Sequence, residues 1–146
     1  MGGRDSHYLR ELIRILVRNL GILEKGEIPC CGVTISQCHT IVEIGRSGEV
    51  SLNELAEILN LDKSTMSRTV NNLVDQNFVI RDIPSEDRRY VKIKLTEEGY
   101  KVFRTIENNM EAYYKNILDS IPIDKRDQVI ESLKLLVKAV KENKCC

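Results

Sequence analysis

Residues 51–99 read SLNELAEILNLDKSTMSRTVNNLVDQNFVIRDIPSEDRRYVKIKLTEEG, and the fold turns on how this run divides. Its first part has helical spacing: Leu52, Leu55, Ala56 and Leu59 recur at threes and fours. Ser51 precedes them with Glu54 three residues on, the pattern of a capping box. After the turn Asn60-Leu61, Asp62 caps a second helix with Met66, Val70, Leu73 and Val74 inward. From Phe78 the period drops to two. Val79, Arg81 and Ile83 alternate with Phe78, Ile80 and Asp82; Val91, Ile93 and Leu95 alternate with Tyr90, Lys92 and Lys94. Two such runs about the turn PSEDRR predict a β-hairpin. Two turn-linked helices followed by a hairpin make a winged helix-turn-helix.

Working outward, Thr34-Ile35-Ser36-Gln37 is another capping box, opening a helix with Ile35, Cys38, Ile41, Val42 and Ile44 on its apolar stripe and an end near Gly45 to Gly48. From about Asp5 to Leu23 runs a helix with Leu9, Leu12, Ile13, Leu16, Leu20 and Leu23 in register. Ile15 and Val17 lie off that stripe and widen the apolar surface beyond one face. Downstream, Thr96 with Glu97 and Glu98 caps a long helix carrying Val102, Ile106, Met110, Tyr113, Ile117 and Ile121. Ile121-Pro122 interrupts it, and Asp124 is expected to cap a last helix with Ile130, Leu133, Leu136, Val137 and Val140 inward. The expected fold is mainly α with a small β-hairpin. Residues 34–95 form a winged helix-turn-helix lobe, and residues 1–33 and 96–146 a helical dimerisation region, all in one compact chain. The outer helical faces are too broad for one chain to cover, which predicts a homodimer through the N- and C-terminal helices.

A chain of 146 residues is long enough for a core of its own. It has 22 basic and 22 acidic side chains, so a basic surface must arise from local segregation. No apolar run approaches the ~18 residues of a membrane span, and MGGRDSHYLREL lacks the apolar segment of a signal peptide. The expectation is a cytoplasmic protein with no membrane partner and with reduced thiols.

If the second helix of the pair buries Met66, Val70, Leu73 and Val74, then Lys63, Ser64, Thr65, Ser67, Arg68, Asn71 and Asn72 lie on its sides and outer face. None of these is a carboxylate. Such a helix suits the DNA major groove, where arginine reads guanine edges and Ser, Thr and Asn reach bases or phosphates. Between Arg81 and Lys94 five basic residues face three acidic ones, with Arg81, Arg88 and Arg89 among the candidate DNA contacts. The acids of the central region sit mainly on the scaffold, as Glu54, Glu57, Glu97 and Glu98. For any single residue a solvated helix face explains the chemistry equally well; the conjunction of helix pair, basic hairpin and missing carboxylates favours double-stranded DNA. An enzyme is excluded on composition of sites: there is no nucleophile–base pair, glycine-rich phosphate loop or carboxylate cluster. A winged-helix module used only for protein contacts is the remaining alternative, separable by salt dependence.

The run SLNELAEILNLDKSTMSRTVNNL followed by DRRYVKIKLTEEG resembles the multiple antibiotic resistance regulator (MarR) family of bacterial transcription factors. The family pattern D-x-R, a strand, then L-T-x-x-G corresponds here to Asp87, Arg89, Leu95, Thr96 and Gly99. The resemblance implies an obligate homodimer on a pseudo-palindromic operator, acting as a repressor released by an effector. It implies that Ser64, Thr65, Ser67 and Arg68 face bases and phosphates, and that Arg89 enters the minor groove from the wing. Asp87 would orient a wing arginine, and Arg88 would be a phosphate contact or solvated. Family members respond to small aromatic ligands in the crevice between dimer helices and DNA-binding lobe, to cysteine oxidation, or to metals.

That range bears on PCCGVTISQCH, residues 29–39. Cys38 falls on a helical stripe and reads as a small core residue, and His39 as a polar helix residue. Cys30 and Cys31 sit in a loop before a helix N-terminus, which lowers thiol pKa and raises reactivity. With Cys38 they suggest a three-thiolate site for trivalent arsenic, or for zinc with His39 as fourth ligand. No cofactor is required by this reading, and Cys30 and Cys31 are the candidate sensor. The terminal Cys145 and Cys146 carry no assigned role.

Overall fold

The computed structural model describes residues 2–20, 33–83 and 91–144. Helix α1 spans Gly2–Asn19, α2 Ile35–Ser47, α3 Leu52–Ile58, α4 Lys63–Asp75, α5 Glu97–Asp119 and α6 Arg126–Glu142. Strands β1 (Glu49–Val50), β2 (Val79–Asp82) and β3 (Lys92–Leu95) form one antiparallel sheet in the order β1-β3-β2. The chain divides into a unit of residues 1–107 and a unit of residues 108–146.

In the first unit the expected caps are present. Thr34 and Gln37 form a complete capping box, the hydroxyl accepting from the Gln37 N–H at 3.1 Å and the Gln37 Oε1 from the Thr34 N–H at 3.2 Å. Val33 and Cys38, at the two positions of a hydrophobic staple, are both buried. The Ser51 box is only half formed: its hydroxyl accepts from Glu54 N–H at 3.1 Å, while the Glu54 carboxylate lies 3.8 Å from Lys92 Nζ. Helix α2 ends at Ser47 with Gly48 at φ 81°, and the two-residue strand β1, which no local pattern marks, follows directly.

Helices α3 and α4 stop in the same way. Asn60 and Asn77 take φ of 55° and 65°, the left-handed conformation asparagine tolerates. The N–H groups of Asn60 and Leu61 reach the carbonyls of Glu57 and Ala56, and those of Asn77 and Phe78 reach Val74 and Leu73. Each end is thus a Schellman motif with asparagine in the usual glycine place. The first turns the chain from α3 into α4; the second turns it from α4 into β2.

Ile41, Ile44, Val50, Leu55, Met66, Val70, Leu73, Val79, Ile93 and Ile106 form the core of this unit. Each contributes on the order of 1.5–3 kcal/mol by leaving water. Two glycines permit close approach within it. A Cβ on Gly45 would stand 2.4 Å from the Phe103 ring, and one on Gly99 would stand 2.0 Å from the Phe78 carbonyl oxygen. That same oxygen accepts from Thr96 N–H at 3.0 Å, while Thr96 Oγ1 donates to the Asn77 carbonyl at 2.7 Å and accepts from Gly99 N–H at 2.9 Å. The start of α5 is therefore fastened to the end of α4.

In the second unit α5 and α6 are joined by a 3-10 turn, Ile123–Lys125. Asp124 lies inside that turn and does not cap α6: Lys125 stands at the N-cap position with no side-chain hydrogen bond. The connection is held instead by Arg126, whose Nε donates to the Ile121 carbonyl at 2.9 Å and whose guanidinium lies 3.9 Å from Asp119. Lys115, then Arg126, hold the Asp119 carboxyl below its ordinary range. The expectation that the α6 stripe turns inward is corrected: no α6 residue is buried, and Val137 and Val140 are 50% and 59% exposed. A depression of about 440 Å³ runs along α6 past Val129, Leu133 and Leu136. The α1 residues Leu9, Leu12 and Leu16 are likewise exposed, with Tyr8. Among the described residues no helix is long and apolar enough to cross a membrane.

Candidate nucleic-acid interface

Helix α4 buries Met66, Thr69, Val70 and Leu73, positions i, i+3, i+4 and i+7. Ser64, Ser67, Arg68 and Asn71 repeat the same spacing on the opposite side, where all but the half-buried Ser67 are exposed. One stripe anchors the helix and the other presents hydroxyl, guanidinium and carboxamide groups to solvent. Lys63 is exposed at the first turn, Asn72 near the last, and Thr65 is half-buried on the flank. Val74, expected inward, is half-buried.

The first turn of α4 is a small polar network. Asp62 accepts from the Thr65 N–H at 3.1 Å and from the Thr65 hydroxyl at 2.5 Å. Arg68 donates to Thr65 Oγ1 at 3.4 Å. Thr65 thus spends its hydroxyl proton on the cap and offers only acceptor lone pairs outward. The Thr65 hydroxyl, then the Thr65 N–H, with a smaller contribution from Arg68, hold the Asp62 carboxyl below its ordinary value. The negative charge also sits where the helix dipole favours it.

At the other end of the stripe, Arg81 of β2 donates to Asn71 Oδ1. Arg81 stands opposite buried Ile93 in the sheet register, which turns its side chain toward the helix side of the sheet. The other sheet face carries a charge ladder: Lys94 lies 3.0 Å from Asp82 and 3.4 Å from Glu49. Those carboxylates, Asp82 first, raise the Lys94 ammonium above its ordinary value. Lys94 ties all three strands together, a role not anticipated because the strand bearing Glu49 has only two residues. The pairing of Arg81 with Asn71 depends on the sheet register, which the local pattern around either residue does not show.

Asp87, Arg88 and Arg89, like Cys30, Cys31, Cys145 and Cys146, lie outside the described residues. Of the proposed thiol group only Cys38 and His39 are placed: Cys38 is 7% exposed and His39 is exposed. Among the described residues no group of three or more His, Cys, Asp or Glu side chains converges as a metal site.

Three comparisons bear on this geometry. The model of the MarR family matches residues 33–91. The HTH-type transcriptional regulator BilQ of Clostridium symbiosum is 24% identical over 121 residues, 83% of this chain and 84% of that protein. Among solved structures, Streptococcus pneumoniae FabT in complex with DNA superposes with a TM-score of 0.76 at 23% identity, covering 97% of this chain and 98% of that one. Staphylococcus aureus MarR in complex with salicylate and kanamycin gives 0.80 at 15% identity, over 98% and 96%. These structures share the fold.

Proposed function

We propose, for a chain that belongs to the MarR family of transcriptional regulators, that it acts as a homodimeric repressor on a pseudo-palindromic operator. The family consists of transcription regulators rather than enzymes. The observation that carries the DNA-reading role is the outer stripe of α4, Ser64, Ser67, Arg68 and Asn71, which meets no carboxylate between Lys63 and Asn72 (exposed Asp75 follows one turn later) and whose opposite stripe is locked in the core. In this reading α4 lies in the major groove, Arg68 hydrogen-bonds a guanine edge, and Lys63 and the hydroxyls engage phosphates. The complex of the similar FabT with DNA supports the same use of the fold. In this reading, as the family resemblance implies, Arg89 enters the minor groove from the wing, Asp87 orients a wing arginine, and Arg88 is a phosphate contact or solvated.

The dimer follows from exposure. Leu133, Leu135, Val137 and Val140 on α6 and Leu9, Leu12 and Leu16 on α1 leave apolar faces in water that a second copy would cover. Two copies place two α4 helices on successive major grooves, which is why a pseudo-palindromic operator matches the protein.

The effector acts in this reading on Cys30 and Cys31, as oxidant, zinc or trivalent arsenic, while Cys38 stays in the buried staple at the start of α2. A small aromatic ligand is the second reading, favoured by the salicylate bound to the similar S. aureus MarR. Operator binding by the wild type and a Cys30→Ser/Cys31→Ser variant, with and without oxidant, zinc, arsenite and salicylate, separates the two. Equal behaviour of both proteins in every thiol-directed condition overturns the thiol reading.

The DNA-reading role itself is tested by titrating a promoter fragment at several salt concentrations. A reader making six or more phosphate contacts loses about 10³-fold or more between roughly 50 and 200 mM salt. Affinity that ignores salt overturns the proposal and favours a protein-contact module.

A further inference from the structure

Arg81 and Asn71 both look like DNA contacts by composition, yet the structure joins them to each other. An arginine has only donors, so the Asn71 atom it meets must be the carboxamide oxygen, which fixes which way the amide faces. Asn71 is the last polar, uncharged residue of the outer stripe, one turn before exposed Asp75, and Arg81 comes from the strand at the base of the wing. Asp82, the nearest acid in sequence, is engaged by Lys94 on the other sheet face at 3.0 Å. The guanidinium is therefore directed to the recognition helix by its own strand register.

We infer that Arg81 is a specificity-determining positioning residue, which holds the Asn71 carboxamide by its oxygen so that Asn71 offers N–H donors to the groove. The inference rests on the DNA-reading role proposed above. Asparagine recognises adenine by a pair of bonds, accepting from the N6 amino group and donating to N7. With a guanidinium on Oδ1, the adenine amino group would compete for the same oxygen beside a positive charge. Guanine presents only acceptors, O6 and N7, and matches the N–H groups that remain. Arg81 acts through Asn71, and not as a phosphate contact of its own.

The test measures affinity for a panel of operator duplexes, each with one base pair replaced, using wild type, Asn71→Ala, Arg81→Ala, Arg81→Lys and the double alanine variant. The base pair that Asn71 reads is the one whose preference disappears in Asn71→Ala. There the wild type prefers guanine to adenine, and Arg81→Ala shifts the preference toward adenine by about tenfold. Arg81→Lys, still a donor-only cation, retains the guanine preference in part. The double variant matches Asn71→Ala. Thermal melts confirm that each variant is folded. A uniform loss across all duplexes in Arg81→Ala, with the slope of log affinity against log salt shallower by about one, overturns the inference by making Arg81 a phosphate contact. An Asn71→Ala variant with every base preference intact also overturns it. Failure of the wild type to bind any duplex overturns the DNA-reading role first, and this inference with it.

Discussion

Replacing Gly99 by alanine probes the joint between α4 and α5. Inside a helix this change ordinarily stabilises, by about 1 kcal/mol, because alanine is the better helix former. Here the new methyl would stand 2.0 Å from the Phe78 carbonyl oxygen, 3.0 Å from its carbon and 3.3 Å from Leu95 Cβ. Two of the three obstacles are backbone. The carbonyl cannot swing aside without releasing the Thr96 N–H, which it accepts at 3.0 Å. Overpacking costs about 1–3 kcal/mol where side chains can shift, and backbone obstruction places this site at the upper end. Roughly 3 kcal/mol of overpacking less about 1 kcal/mol of propensity leaves a net loss near 2 kcal/mol. That lowers Tm by roughly 4–8 °C for a chain of this size. Thermal unfolding followed by circular dichroism at one fixed protein concentration measures it, since the proposed dimer would make Tm depend on concentration. A Gly99→Ala protein as stable as the wild type, or more so, would refute this account of the joint.

Other perturbations have equally definite outcomes. Asp62→Asn keeps an acceptor at the cap but removes the ionisation. Because the folded carboxyl titrates below its ordinary 3.8, the stability it adds is present above that value and is lost as pH falls through the lowered one. The gap in denaturant midpoint between wild type and Asp62→Asn should therefore be constant above about pH 5 and shrink below about pH 4; a gap that persists in acid contradicts the sign. Leu133→Asp puts a charge on the exposed α6 stripe and should halve the mass seen by light scattering, with operator binding weaker by at least about tenfold once two half-sites are no longer linked. An unchanged mass moves the dimer interface elsewhere. Arg89→Ala should weaken operator binding strongly at fixed salt while leaving the dimer folded, and unchanged affinity in a folded variant would remove Arg89 from the wing contact.

Most helices and both hairpin strands could be read from periodicity, because burial imposes a period of 3.6 or 2 locally. Thr34, Asp62 and Thr96 were legible for the same reason: a cap acts within three residues of itself. What escaped depends on distant partners. Strand β1 has two residues and exists because β3 pairs with it, so no local pattern marks it. Glu54 fits a capping box by spacing, but Lys92 of β3 lies close enough to draw its carboxylate. The α6 stripe has the same period whether its own chain or a second copy covers it, which is how an exposed face was expected to turn inward. Asp124 was misjudged because Ile121-Pro122 is followed by a 3-10 turn, which shifts the helix start past it. Gly99 appeared in the family pattern as a letter; the structure supplies its reason, the passage of α5 against a backbone carbonyl. In the candidate interface, the outer stripe of α4 was legible residue by residue, whereas the bond between Arg81 and Asn71 needed the sheet register to be seen.

The most direct test of the central claim is selection of bound duplexes from a random library by the wild type and by Arg68→Ala. If the outer stripe of α4 reads DNA, the wild type enriches an inverted repeat with half-sites about one helical turn apart. Arg68→Ala then keeps the spacing and loses discrimination at one base pair in each half-site, worth about 1–3 kcal/mol. A wild type that enriches no sequence, or an Arg68→Ala variant that selects the same repeat with the same base preferences, would contradict it.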